Sequence, residues 1–157
     1  MIFHASIPAD DPERVARVLG ELLGGGYSPF HVGRHSFMSR GRPDDADDTA
    51  IEVYPRDEVM IPGTGDSDMV QMGHVDNPPR YGSFHLAVST RLSKDEIIAI
   101  GKREGWRAVH CNRGPFEVVE FWLENSLMIE FLDANMQAQY KGRRSWRPAE
   151  SGAVSAS

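Results

Sequence analysis

Two histidines and two glutamates recur in this sequence as pairs: His4 with Glu52, and His85 with Glu130. Two imidazoles and two carboxylates form a borderline-hard donor set suited to a divalent Ni, Zn, Co, Fe or Mn ion, with no basis for choosing among them. Four such ligands would leave two positions of an octahedral shell to exchangeable waters. A substrate with adjacent oxygens would displace those waters, and the metal would act on it as a Lewis acid. A lone strand histidine or glutamate is ordinarily structural or solvent-facing. Repetition carries the assignment, because gathering four ionisable groups is unfavourable unless something compensates them.

The elements that must position these residues also recur. Phe3-His4-Ala5-Ser6-Ile7 matches Phe84-His85-Leu86-Ala87-Val88, and in each the apolar side chains alternate with the histidine on the other face, the period of a strand. A helix follows each. The first is announced by Asp11 as N-cap and Pro12 at the first helical position, carries Val15, Val18, Leu19 and Leu22 on one face, and stops at Gly24-Gly25-Gly26. The second opens on the capping box Ser93/Glu96, carries Ile97 and Ile100, and ends at Gly105.

Three further strands are expected in each half, at 29–33, 36–40 and 50–54, and at 107–111, 116–123 and 127–132. Ile51-Glu52-Val53-Tyr54 matches Ile129-Glu130-Phe131-Leu132, each acid lying between apolar neighbours. His4 and Glu52 are 48 residues apart and His85 and Glu130 are 45 apart, a difference absorbed by the longer loop Arg42-Pro43-Asp44-Asp45-Ala46-Asp47-Asp48. The organisation expected is a first βαβββ module at 1–54, a connector at 55–80 with little regular structure, a second module at 81–133, and a frayed polar tail at 134–157.

With these four residues on the first and last strands of paired modules, the chain resembles the vicinal oxygen chelate superfamily, which includes glyoxalases, bleomycin-resistance proteins and extradiol dioxygenases. The resemblance covers about residues 1 to 133. It implies an α+β fold, glyoxalase/bleomycin-resistance-like, in which two tandem βαβββ modules form a curved, mostly antiparallel sheet cleft. It implies metal ligation by His4, Glu52, His85 and Glu130, an order similar to that of glyoxalase I. The activity implied is that of a metal-dependent lyase or isomerase acting on a small vicinal-oxygen substrate by proton abstraction alpha to a carbonyl. Glu130 or Glu52 would be the catalytic base, and the choice stays open. An extradiol-type dioxygenase and a metal-free protein that binds a drug or metabolite in the same cleft are the alternatives. A homodimer is expected, with the modules paired either within one chain or between two.

Composition narrows the partners. The excess of 23 acidic over 17 basic residues leaves a net charge of -6, which repels phosphate backbones and anionic lipid, so neither nucleic acid nor membrane is an expected partner. The single cysteine, Cys111, rules out an intrachain disulfide, and Met1-Ile2-Phe3-His4 lacks the features of a secretory signal, so a cytoplasmic location is expected. The other histidines, His31, His35, His74 and His110, do not repeat between modules. Glu117 and Glu120 fall on opposite strand faces, which makes Glu120 the reserve ligand. Cys111 beside His110 is expected to be structural. Phe37, Phe116, Phe121 and Trp122 are candidate pocket walls or plain core, and Arg143, Arg144, Trp146 and Arg147 are candidate anion contacts in the tail.

Overall fold

In the first module the local signals hold. A computed structural model of the chain describes residues 2–43, 49–66 and 69–142. Strand β1 (His4–Ala9) leads to helix α1 (Pro12–Leu22), whose N-cap Asp11 accepts a hydrogen bond from the Arg14 amide at 3.1 Å. Val15, Val18, Leu19 and Leu22 are buried on its inner face, each contributing about 1.5–3 kcal/mol of burial. Gly24 takes a φ of 73°, which ends the helix where a side chain would be strained. The chain re-enters extended structure at once, so β2 (Gly26–Phe30) starts three residues earlier than expected. Its Pro29 has no amide to donate, and β2 lies at the sheet edge, where that loss is tolerated. Next come β3 (Ser36–Arg40) and β4 (Ala50–Pro55); residues 44–48 of the acidic loop lie outside the described residues.

The second module repeats this order with β7 (Leu86–Ser89), α2 (Lys94–Glu104), β8 (Ala108–Asn112), β9 (Glu117–Leu123) and β10 (Leu127–Leu132). The Ser93/Glu96 capping box forms with both of its reciprocal bonds, and Gly105 closes α2. The sheets run β1-β4-β3-β2 and β7-β10-β9-β8, each with one parallel pair at one edge and antiparallel pairs elsewhere. The fold is therefore α+β, two βαβββ modules with the same strand order. One difference bears on the site: β7 begins at Leu86, so Phe84 and His85 precede the ladder instead of lying in it.

Two stretches are more ordered than their composition suggests. The connector at 55–80 contains a hairpin, β5 (Glu58–Ile61) paired with β6 (Gln71–His74). Its short apolar runs lie on either side of a glycine- and proline-rich turn, and the turn residues dominate its composition. The first part of the expected polar tail is helical: α3 (Ala134–Gly142) is capped by the Asp133 side chain on the Met136 amide at 2.9 Å, and Met136 is buried, while 143–157 lie outside the described residues. Tyr140 stacks edge-on against Phe116 at 4.8 Å. Two side-chain anchors, the cap and the bonds from Gln137 to the Thr90 and Leu132 carbonyls hold this helix, which a search for an apolar stripe does not find. No helix among the described residues is long and apolar enough to cross a membrane.

The inner faces of both sheets and both long helices form one core, from Ile7 and Leu19 through Val118, Phe121 and Phe131. Two glutamates clamp the modules at its rim. Glu104, at the end of α2, accepts from Arg14 at 3.1 Å, Arg17 at 3.2 Å and Arg103 at 3.0 Å. Glu124, in the β9–β10 turn, accepts from the Asp10 and Asp11 amides at 2.7 Å each and from Arg56 at 3.2 Å. Burial raises the Glu104 pKa, but the three guanidiniums outweigh it and hold the carboxyl below the usual carboxylate range.

A folded-state pKa below the unfolded value contributes stability at neutral pH that is lost as pH falls through the folded value. Glu104→Gln is therefore expected to lower stability by about 1–2 kcal/mol at neutral pH. The gap to the parent should close as the pH falls through the carboxylate range, and thermal unfolding across that range checks it.

Candidate functional site

The pleat decides which side chains share a face. Core-facing Ile7, Ile51 and Val53 alternate with His4, Ser6, Glu52 and Tyr54, which stand on the face away from α1. Ser6 and Met38 flank Glu52 in register, and Ala50 and Arg40 align with His4. In the second sheet Ala87, Glu130, Glu120 and Val109 form one row across four strands, also facing away from the core.

His4 and Glu52 come together. Nε2 of His4 lies 3.9 Å from Oε1 of Glu52, whose Oε2 accepts from the Ser6 hydroxyl at 2.8 Å and the Tyr54 hydroxyl at 3.1 Å. Glu52 is buried, and two hydroxyls satisfy it where a cation was expected. Burial raises the Tyr54 pKa far above the usual phenol range, and the adjacent Glu52 charge adds to it. Tyr54 therefore stays protonated and keeps donating.

The second pair does not repeat this. His85 is exposed, with Nδ1 3.4 Å from the Ser83 carbonyl oxygen. Glu130 is buried and accepts from Nη2 of Arg113 at 3.0 Å, and the same nitrogen reaches Glu120 at 2.5 Å. Glu120 also accepts from the Trp122 indole at 3.2 Å. Its burial works against ionisation, but the indole and the guanidinium hold its pKa below the usual range. Arg113 is permanently charged and already supplies the positive charge that a divalent ion would bring to Glu130.

The expected set of four is thus not gathered within the chain. Among the described residues no three His, Cys, Asp or Glu side chains stand close enough to hold a metal ion. The donor chemistry does not fit a four-ligand centre, because one carboxylate is paired with a guanidinium and one imidazole lies outside the ladder. Glu120 shares a face with Glu130, as the strand period requires, but as its partner on Arg113. Nothing in the sequence pattern marked Arg113, which follows β8 and reaches its partners only through the β8–β9 pairing.

The remaining candidates have structural surroundings. His74 lies 3.3 Å from Asp57, and His110 lies 3.5 Å from Glu117. His31 and His35 are exposed in the β2–β3 turn, where His35 takes a φ of 53°. Phe121 is core, Phe37 and Phe116 pack against the core, and Trp122 is engaged with Glu120. Burial, then the Glu120 charge, pushes the Cys111 thiol up, which keeps it protonated and a poor nucleophile. Arg143, Arg144, Trp146 and Arg147 lie outside the described residues.

Between the modules is an open cleft of about 710 Å³. Ile2, Phe3, His4, Met38 and Arg40 line it from the first module, and Leu86 to Ser89 from the second. Its walls are mainly apolar, with His4 and Arg40 as polar contacts, a lining suited to a small organic molecule. The cleft runs between the two sheet edges β1 and β7, each hydrogen-bonded to a neighbouring strand on one side only.

No protein-family model matches the chain, and no curated protein sequence does. Among solved structures, it is similar to a trypanothione-dependent glyoxalase I of Leishmania major, at 14% identity over 90% of this chain and 91% of that one, with a TM-score of 0.48. A hypothetical protein of Staphylococcus aureus is 10% identical over 85% of this chain and 97% of its own, with a TM-score of 0.49. A glyoxalase/bleomycin resistance/dioxygenase domain from a Frankia species is 12% identical over 83% and 92%, with a TM-score of 0.43. The chain's own strand order, rather than these distant likenesses, shows the paired-βαβββ fold.

Removing Arg113 leaves Glu120 and Glu130 facing each other without a cation. Arg113→Met is expected to lower stability by about 1–2 kcal/mol at neutral pH, the partial exposure of the guanidinium keeping the loss moderate. In the parent the indole and the guanidinium hold the Glu120 carboxyl below its usual range, and the stability this contributes is lost as the pH falls through the folded value. The penalty is therefore full at neutral pH and shrinks on acidification. Melting temperatures of parent and variant along a pH series check both the size and the sign.

Proposed function

We propose that this protein binds a small, largely apolar organic molecule in the cleft between its two modules, without a four-ligand metal centre. The observation that carries the reading is the cleft itself: about 710 Å³, lined from both modules. That volume falls within the range of small-molecule sites. The Arg113 bridge to Glu130 directs the reading away from the lyase, whose implied four-ligand set includes that carboxylate. Of the three activities the resemblance implies, the binding protein is the one that uses the side chains as they stand. His4, backed by Glu52, offers the ligand one polar contact.

The homodimer belongs to the same proposal. Ile2 and Phe3 are 76% and 75% exposed beside the β1 edge, and Phe84 is half-exposed beside β7. A second copy covering these edges would bury them and close the cleft from outside.

The neutral fluorescent probe N-phenyl-1-naphthylamine is expected to bind with enhanced emission. Ala87→Trp, which fills the cleft from an exposed position, should cut the enhancement by at least about fivefold, since a bulky ring there excludes the probe sterically. Elemental analysis of the purified protein should find well under one metal per chain, unchanged in His4→Ala. Stoichiometric metal lost in both His4→Ala and Glu130→Gln would overturn the proposal and restore the metal-dependent lyase.

A further inference from the structure

The hairpin β5–β6 roofs a second cavity, of about 310 Å³, on the same face of the first sheet but beyond Glu52 from His4. Pro8 and Tyr54 of the sheet form its floor, and Met60, Met72, Pro78 and Pro79 its apolar sides and roof. Thioethers adapt to ligands of different shape. The polar groups in the lining share one bias. The Ser6 and Tyr54 hydroxyls both direct their protons to Oε2 of Glu52, at 2.8 Å and 3.1 Å. Each is left with lone pairs to offer and therefore serves an incoming donor.

Charge points the same way. Glu58 lines the cavity with a side chain only 5% exposed. Its Oε1 accepts from the Arg34 amide at 2.8 Å, and among the described residues it forms an ion pair with the Arg34 guanidinium at 3.7 Å, itself 74% exposed. Oε2 of Glu58, packed beside Gly33 and the Tyr54 ring, is the buried side-chain oxygen among the described residues that lacks a hydrogen-bond donor. Arg56, the cation in the lining, is already paired with Asp10 at 2.5 Å and Glu124 at 3.2 Å. One carboxylate, Glu58, thus borders an apolar space whose own cation is neutralised, with Glu52 behind the Ser6 and Tyr54 hydroxyls, and such a space favours positive charge.

We propose that this cavity is a second ligand site, separate from the inter-module cleft, that takes a small organic ammonium: the apolar body lies among Met60, Met72 and the prolines, and the ammonium donates toward Tyr54, Ser6 and Glu58. The site does not depend on the cleft being a binding site, because the two share no lining residue.

The probe is 2-phenylethylammonium, with neutral 2-phenylethanol and anionic 3-phenylpropanoate as matched controls. Calorimetry is expected to rank ammonium above alcohol above carboxylate, with at least about tenfold between the extremes, the usual scale of one charge-assisted hydrogen bond. Methyl resonances of Met60 and Met72 should shift with the ammonium while those of Met38 and Leu86 stay in place. Glu58→Gln keeps an acceptor for the Arg34 amide and should weaken ammonium binding about tenfold with little change for the alcohol. Met72→Trp fills the cavity from the hairpin and should abolish binding of all three. Equal affinities for the three probes, or an unchanged Glu58→Gln, would overturn the proposal. Shifts confined to Met38 and Leu86 would overturn it too, while leaving the cleft as the binding site.

Discussion

The packing of one module against the other is the constraint on which the rest of this structure depends. Each sheet has one apolar face, and neither module has enough chain to cover its own face well. The shared core answers this, and the carboxylates of Glu104 and Glu124 set its register by drawing arginines and backbone amides from the opposite module. Such multidentate, partly buried clamps are directional in a way that apolar contact is not.

The duplicated carboxylates show how similar backbones can reach different chemistry. Glu52 and Glu130 occupy equivalent strand positions, each flanked by buried apolar residues and each itself buried. A buried carboxylate needs compensation. The first module answers with two hydroxyls from the same sheet, Ser6 and Tyr54, and the second with a guanidinium from the end of β8. The hydroxyls hold one oxygen of Glu52, with an imidazole near the other. Arg113 turns Glu130 and Glu120 into a closed ion-pair cluster. The histidines diverge in parallel, His4 in the ladder and His85 outside it.

Much of the fold was legible in the sequence because the signals were local. The Asp11 cap, the Ser93/Glu96 box, the turn glycines and the alternation around Glu52 and Glu130 each act within a few residues, and the repeat showed that they occur twice. The strands departed from expectation chiefly at their ends, as with β2 and β7. The hairpin at 58–74 and the helix from Ala134 were not legible: in the hairpin turn residues outnumber two short apolar runs, and the helix rests on distant contacts, through Met136 in the core and Tyr140 on Phe116.

The sequence by itself therefore determined the two-module βαβββ plan, the face on which His4, Glu52 and Glu130 lie, and the placing of Glu117 and Glu120 on opposite faces of their strand. The physical reason is that strand period and helix caps are properties of neighbouring residues. Only the tertiary structure decided which charge meets which carboxylate, that Arg113 and not an imidazole reaches Glu130, and that the hairpin roofs a cavity beside Glu58. Those outcomes depend on distances between segments far apart in the chain, and they follow from how the sheets and connector pack, which periodicity does not encode.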